Sequence, residues 1–247
     1  MSGYGAFSDD FYVNMNLSTE MELPQSRETL LHYFEQVRRR YPKMQNFYSR
    51  ESGDFVLEEE KSEGAYRWVS TEPKRINSGA VNPDSYDSAL EQHRCVLELI
   101  PYEMSVSPLD CESLSVMLGF DFTYRGNQNE ILAEAIGVPR GLERFLHVPY
   151  GKLLCNEPAL QFALDEECRT QCRVSFESRT NAYQVRTGDF TEDQLSVYLT
   201  VRRYDSLGVK ETYVEEFNRL AALCQDLTDE YLVPSVLRPL QERISLS

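Results

Sequence analysis

The sequence lacks any long apolar run. No uninterrupted stretch approaches the roughly 20 residues that a helix needs to cross a bilayer. No secretory signal is evident either, because the N-terminal residues MSGYGAFSDD contain neither a basic patch nor an apolar core. The six cysteines are scattered over 247 residues, without the compact spacing of a disulfide framework. We therefore expect reduced thiols, a cytoplasmic location and no membrane partner.

The motifs that build the commonest active sites are missing as well. The sequence has no GxxxxGK[ST] or GxGxxG phosphate loop, no GxSxG nucleophile elbow and no HExxH zinc helix. Basic residues number 25 against 40 acidic residues, which gives a formal net charge of −15. This negative charge repels phosphate backbones, so we expect no nucleic-acid partner. These absences argue against a common hydrolase, kinase or metalloprotease and leave room for a rarer enzyme.

The clearest pattern that is present predicts a long helix over residues 209–231. Its apolar residues are four or three positions apart and so share one helical face; they are Tyr213, Phe217, Leu220, Cys224, Leu227 and Tyr231. Pro234 and Pro239 then allow at most a broken final helix. Similar spacing predicts helices at 26–41, 85–100 and 130–136. Alternation predicts strands at 13–23, 46–50, 54–60, 65–70, 118–124, 160–164, 172–176, 182–186 and 195–201, with a loop at 71–82.

These elements predict an α+β fold. The strands cluster in pairs and triplets, so the sheets should be mainly antiparallel, with amphipathic helices packed on one face. The glycine- and proline-rich stretch 138–157 predicts a connection between an N-terminal α+β subdomain, 1–137, and a C-terminal subdomain, 158–247, made of antiparallel sheet plus the long helix. Segments 118–126 and 195–208 each run from a strand to a glycine and then a helix, so a duplicated unit is one interpretation and coincidence the other.

One candidate for a recognition surface is the pair Arg67 and Trp68, which contains the only tryptophan of the chain. An aromatic ring beside basic groups can stack a ligand ring or hold an anion. The alternative is that Trp68 anchors the core while Arg67 faces solvent. We favour this alternative because large aromatic side chains are usually well buried.

Histidines offer a second candidate. His147 and Tyr150 lie in the irregular connection, where functional residues often occur. His93 falls on the apolar stripe of the second predicted helix, where it could be a base or a metal ligand. We favour a hydrogen-bonded histidine at a helix–sheet contact, since histidine is often partly buried.

The cysteine spacing does not predict a metal site. Cys168 and Cys172 would lie on one face of a strand about 13 Å apart, too far to share one metal ion. We expect no metal and no other cofactor, and we interpret both cysteines as small buried hydrophobic residues. The acidic runs 58–60 and 165–167 are predicted to be solvated strand ends.

The layout of the chain resembles a sporadically distributed bacterial family of uncharacterised proteins. The shared points are Tyr41-Pro42 at the end of the first helix, the strand Arg67-Trp68-Val69-Ser70, a helix that opens near Tyr86, and the 118–124 strand. The closing strand and long helix are also similar. The resemblance implies a bacterial cytoplasmic α+β protein and no particular activity.

The leading hypothesis is a non-catalytic binding or protein-interaction protein of the bacterial cytoplasm, with an unidentified protein or small molecule as its partner. Its candidate ligand-binding residues are Arg67, Trp68, His147 and Tyr150. The alternative is an enzyme of an unusual family, with a cleft near the connection that uses His147 and Tyr150. A homo-oligomer joined through the final helix is a third possibility.

Overall fold

The strands of the chain assemble into one antiparallel sheet. The computed structural model describes residues 3–50, 53–61, 64–208 and 210–247. Its strands are β1 (Asp10–Thr19), β2 (Asn46–Ser49), β3 (Phe55–Glu58), β4 (Tyr66–Glu72), β5 (Arg75–Val81), β6 (Cys111–Tyr124), β7 (Ala159–Ala163), β8 (Thr170–Glu177) and β9 (Asp193–Tyr204). Within the described residues these form a nine-stranded sheet in the order β2-β3-β4-β5-β1-β6-β9-β8-β7.

The α-helices connect the strands. They are α1 (Arg27–Arg40), α2 (Tyr86–Glu103), α3 (Gln128–Ile136), α4 (Ala182–Thr187), α5 (Tyr213–Leu227) and α6 (Arg238–Ser245). A π-helical segment, Thr228–Leu237, joins α5 to α6. Among the described helices, none combines the length and the apolar composition that a membrane span requires.

The two faces of the sheet have different environments because side chains alternate along each strand. In β1, the side chains of Val13, Met15 and Leu17 are completely buried, whereas Tyr12 and Asn14 are half-buried on the opposite side. Helices α2 and α5 pack on the central strands from the first side. We call this the helix face and the other the open face. The predicted α+β class, with an antiparallel sheet and helices on one face, is confirmed.

Strands β1 and β6 pair in the middle of the sheet and divide the order of elements into two similar series. In the first, β1 is followed by α1, by a meander that returns β5 to the side of β1, and by α2. In the second, β6 is followed by α3, by a meander that returns β9 to the side of β6, and by α5. The segments whose sequence suggested a repeat are β6 and β9, which are neighbours in the second series.

The hydrophobic core runs through both predicted subdomains. It includes Leu17, Phe34 and Leu97 from the first and Val197 and Phe217 from the second. The connection 138–157 contains one short 3-10 helix, Glu143–His147, and its side chains are mostly exposed. A continuous sheet can be shared by two subdomains, so the division at this connection stays a prediction.

The predicted loop at 71–82 is wrong, because most of it is β5. Strand β5 follows β4 through the short turn at Pro73 and Lys74. Its helix-face residues are Ile76, Ser78 and Ala80, two of which are small. An apolar alternation carried mainly by small side chains is too weak to be recognised as a strand pattern.

The predicted strand at 182–186 is also wrong, since these residues begin α4. Asn181 accepts hydrogen bonds from the backbone N–H groups of Tyr183 and Gln184, and the Gln184 side chain accepts one from the Asn181 N–H. This capping box satisfies N–H groups that the first turn of a helix leaves free. Local capping therefore prevails over the β propensity of the intervening residues.

The prediction that the apolar stripe of the final helix packs on the core is correct only for the first part of the stripe. Tyr213, Phe217, Leu220 and Cys224 are at most 2% exposed, but Tyr231 is 57% exposed. Residue 209, where the predicted helix begins, lies outside the described residues. The π-helical segment that starts at Thr228 has more residues per turn than an α-helix, so the stripe moves off the core at that point.

His93 occupies the predicted contact between a helix and the sheet. It is fully buried, its Nδ1 lies 3.0 Å from the Ser78 hydroxyl oxygen, and its ring meets Phe217 edge-on at 5.7 Å. The interpretation of His93 as a hydrogen-bonded core residue is confirmed. Burial lowers the pKa of His93 to about 3, with smaller contributions in the same direction from Arg67 and Arg94.

This buried histidine should make the protein less stable in acid. Between pH 6.5 and about 3 the unfolded chain binds a proton at His93 and the native chain does not. The free energy of unfolding should therefore fall as the pH decreases, with a slope of up to about 1.4 kcal/mol per pH unit from this residue. Urea unfolding across this range should give a shallower slope for His93→Gln. The exposed His32→Gln is the control, and equal slopes for wild type and His93→Gln would contradict the assignment.

Candidate functional site

The open face contains a polar cavity over strands β1, β6, β7, β8 and β9. Its volume is about 540 Å³. The described residues that line it are aromatic, amide, hydroxyl or basic apart from one methionine, and none is acidic: they are Tyr12, Asn14, Met117, Gln161, Gln171, Arg173, Ser175, Tyr198, Thr200, Arg202 and Tyr204. We call this the polar cavity. In a chain with a net charge of −15, a lining whose charges are all positive is a local exception.

Two arginines give the polar cavity its charge. Arg173 is exposed, and Arg202 is half-buried beside Tyr204, with its guanidinium carbon 5.7 Å from the ring centroid. Among the described residues, neither the buried Nε of Arg202 nor the buried Oδ1 of Asn14 has a hydrogen-bond partner. Buried polar atoms are normally paired, because an unpaired one costs free energy. Both residues line the same cavity, although these two atoms are themselves buried beneath its surface.

Tyrosine rings on adjacent strands are held in place beside these arginines. The rings of Tyr12 and Tyr198 meet at 6.4 Å. The hydroxyl of Tyr12 donates to Asp121 at 3.3 Å, and that of Tyr198 donates to Glu177 at 2.7 Å. Burial, followed by the charge of Asp121, raises the pKa of Tyr12. The hydroxyl of Tyr12 is thus protonated at neutral pH, and it already donates its hydrogen bond to Asp121.

Two strand glycines allow aromatic rings to lie against the open face. A Cβ atom at Gly119 would collide with the ring of Tyr12, and one at Gly79 would collide with the ring of Trp68 and with Asn14 Oδ1. Glycine inside a strand weakens it unless another group needs the space. Here the space is occupied by Tyr12 and Trp68, so the glycines shape the surface of the sheet.

The favoured arrangement of Arg67 and Trp68 is wrong, because the two faces are reversed. Trp68 is half-buried on the open face, where it lines a second cavity of about 540 Å³. Arg67 lies on the helix face with Val69, its guanidinium 5.2 Å from the Tyr41 ring centroid, and its Nη1 donates to the Ser88 carbonyl at 3.1 Å. The completely buried Val69 fixes the orientation of the strand and so turns Trp68 outward.

His147 and Tyr150 are not brought together with Arg67 and Trp68. Both are exposed in the connection, with Tyr150 at 104% of its reference area and at a positive φ of 62°. A small cavity beside them is lined by Phe145 and Lys152 against α3, but neither His147 nor Tyr150 lines it. No polar group of a described residue makes a recorded hydrogen bond to either side chain, so the geometry gives them no catalytic partner.

The two spaced cysteines have different environments. Cys172 is buried in β8, as expected, and burial raises its pKa to about 11. Cys168 is exposed in the turn before β8 at a positive φ of 57°, so its interpretation as a buried hydrophobic residue is wrong. Among the described residues, no group of three or more histidine, cysteine or acidic side chains could hold a metal ion.

A second feature is apolar and lies on the helix face at the β7 edge. This groove, of about 560 Å³, is lined by Ile136, Pro158, Ala159, Leu160, Phe162, Cys172, Val174, Phe176, Leu199, Leu227, Tyr231, Leu232, Ser235 and Val236. We call it the apolar groove. None of these residues carries a formal charge at neutral pH, so a polar ligand would find few partners there.

No protein-family model matches the chain. No curated protein matches it either. The function must therefore be inferred from the surfaces described above.

The sequence patterns pointed to the strands of the polar cavity but not to the cavity itself. Arg173, Tyr198 and Arg202 occupy the polar positions of strands whose apolar positions were used to predict the core. Such positions are commonly solvent-facing and uninformative. Several of these positions are aromatic or basic. A strand that only faces water does not require such residues, and this was the only sequence signal for the cavity.

Replacing Gly79 by alanine should displace the single tryptophan. The added Cβ would push the Trp68 ring away from the sheet, because a strand cannot move aside as easily as a side chain. We expect a loss of about 1–3 kcal/mol in the free energy of unfolding and a red-shifted tryptophan emission, both measurable in one urea titration. The control is Gly141→Ala, where the space around the Cβ is open. Unchanged emission in Gly79→Ala would contradict this arrangement.

Proposed function

We propose that the protein is a non-catalytic binding protein that holds a small acidic ligand in the polar cavity of its open face. The observation that carries the proposal is the charge of the lining: Arg173 and Arg202 are its charged residues, and none of the described lining residues is acidic. Guanidinium groups bind carboxylate and phosphate through paired, charge-assisted hydrogen bonds. The exposed guanidinium of Arg173 is a donor that such a ligand could use.

The charge of the whole chain favours a small ligand over a polyanion. With 40 acidic residues against 25 basic ones, a long phosphate backbone would be repelled outside the cavity. A small acidic ligand interacts only with the charges that line the cavity. The volume of about 540 Å³ lies within the roughly 300–1,000 Å³ typical of small-molecule sites.

The aromatic lining supports a ligand with an apolar or ring portion. Tyr12, Tyr198 and Tyr204 contribute ring surface next to the arginines. The hydroxyls of Tyr12 and Tyr198 are bonded to Asp121 and Glu177 and so are not free to exchange protons with a substrate. This commitment of the hydroxyl groups favours binding over acid–base catalysis.

We propose that the protein is located in the bacterial cytoplasm, as the family resemblance implies. The six cysteines are unpaired, and four of them are buried, including Cys172 and Cys224. Unpaired buried thiols suit a reducing compartment. The alternative of an enzyme that uses His147 and Tyr150 has less support, because both side chains are exposed and neither has a recorded catalytic partner.

Ligand-dependent stabilisation tests this proposal. Thermal shifts would be measured with a panel of small mono- and dicarboxylates and phosphate monoesters, each paired with its neutral amide or alcohol. An acidic ligand at 100 times its Kd should stabilise the wild type by about 2.7 kcal/mol. Titration calorimetry should then show that Arg202→Gln and Arg173→Gln each weaken binding about tenfold or more, as expected for a charge-assisted bond.

The matched control is Arg140→Gln, which makes the same change of charge in the exposed connection. It should leave the Kd unchanged. Equal stabilisation by the neutral analogues, or full binding by Arg202→Gln, would refute a site for acidic ligands in the polar cavity.

A further inference from the structure

Strand β7 leaves backbone groups without a strand to pair with. In the described chain it pairs with β8 on one side and lies at the end of the sheet on the other. The N–H of Leu164 donates to the Thr170 carbonyl at 2.7 Å. Backbone groups alternate in direction along an antiparallel strand, so Leu160 and Phe162 bond toward β8 as well. The N–H and C=O groups of Ala159, Gln161 and Ala163 therefore point outward.

The side chains of β7 are unusually apolar for a sheet edge. Leu160 is 64% and Phe162 39% exposed, and both line the apolar groove together with Tyr231. Natural edge strands are normally protected by charges, prolines or bulges. Strand β7, with the sequence ALQFA, has none of these within its bounds. Acidic residues occur only beyond its two ends, at Glu157 and Asp165.

The opposite edge of the sheet contacts a helix. In β2 the helix-face residue Phe47 packs on Phe34 of α1, with ring centroids 5.3 Å apart. At β7 no described helix covers Leu160 and Phe162 in this way, and the apolar groove lies in the corresponding place. Within the described residues both edge strands lack a second backbone partner, and Phe47 and Phe162 are exposed to the same extent, 40% and 39%. The edges differ in their neighbours, because β2 has a ring contact with α1 whereas β7 borders the apolar groove.

We propose that β7 pairs with β7 of a second copy of this chain, antiparallel and across a two-fold axis at Gln161. In this register Gln161 lies opposite Gln161 of the other copy, and Ala159 lies opposite Ala163. All three are hydrogen-bonded positions, so every outward backbone group of the strand gains a partner. Leu160 lies opposite Phe162 of the other copy on the helix face, at the closer spacing of a non-hydrogen-bonded pair.

This register is self-complementary, which is why we choose a second copy as the occupant. A two-fold interface requires one surface patch to match itself, and β7 does so in both hydrogen bonding and apolar side chains. Glu157 would lie opposite Asp165 of the other copy, so repulsion between like charges limits the pairing to the five residues of β7.

The exposed apolar area at this edge indicates a weak dimer. Phe162 and Tyr231 are 39% and 57% exposed, which corresponds to roughly 150–250 Å² of aromatic surface. Leu160 is 64% exposed and adds to this area. Even with the backbone of β7, the total stays below the roughly 800 Å² per partner of a standard interface, so we expect a transient dimer that forms at high protein concentration.

A proline substitution can test the backbone pairing without breaking the native sheet. Gln161→Pro removes an N–H group that points away from β8, and proline is tolerated at such edge positions. Gln161→Ala removes the same side chain and keeps the N–H. We expect sedimentation velocity to give a dimer for the wild type and for Gln161→Ala, and a monomer for Gln161→Pro. A monomeric wild type at the highest soluble concentration would overturn the proposal.

Hydrogen exchange on the wild type provides an independent measurement. The amides of Ala159, Gln161 and Ala163 should be protected, and dilution below the dimer's Kd should abolish their protection. The Leu160 amide, which bonds to β8, should stay protected at both concentrations and serves as the internal control. A dimer whose Gln161 amide exchanges rapidly would overturn the proposal, since its subunits would be joined elsewhere, for example through the final helix. This result decides the matter even where Gln161→Pro fails to fold.

Discussion

The antiparallel pairing of β1 with β6 is the interaction on which the rest of the structure depends. The pairing runs along the whole of β1, from Asp10 to Thr19, and joins the two series of elements into one sheet. Its register places Val13 opposite Leu118 and so gathers apolar side chains from both series on the helix face. A shift of one residue would turn those side chains toward water. The common core therefore requires this register.

The same register builds the polar cavity. When helices cover one face of a sheet, the side chains of the other face must stabilise each other, and here they do so through rings and hydrogen bonds. Tyr12 on β1 lies over Gly119 on β6 and meets Tyr198 on β9. The polar cavity is thus built from the outward half of the strands whose inward half forms the core. Its rigidity follows from the packing beneath it, which favours preorganised binding.

The sequence was sufficient for most element types, because apolar spacing is a local property. It was insufficient where two local signals competed, as at Asn181, and where the inward residues were small, as in β5. It also failed for Arg67 and Trp68. Adjacent residues of a strand point to opposite faces, and both of them can be partly buried, so burial does not decide which face each one occupies. The face of Trp68 is decided by Val69 and by the space above Gly79, which belongs to a different strand. The polar cavity could not be predicted because strands distant in the sequence supply its residues.

The two edges of the sheet have different neighbours because the helices that follow β1 and β6 differ in length. Helix α1 has 14 residues and reaches the β2 edge, where Phe34 contacts Phe47, which stays 40% exposed. Helix α3 has nine residues and packs against α6, so the β7 edge stays open. Pairing through the backbone of β7 would satisfy that edge without covering the open face, because strand addition occurs in the plane of the sheet. Dimerisation and ligand binding would therefore be compatible, and a defect in one would not by itself abolish the other.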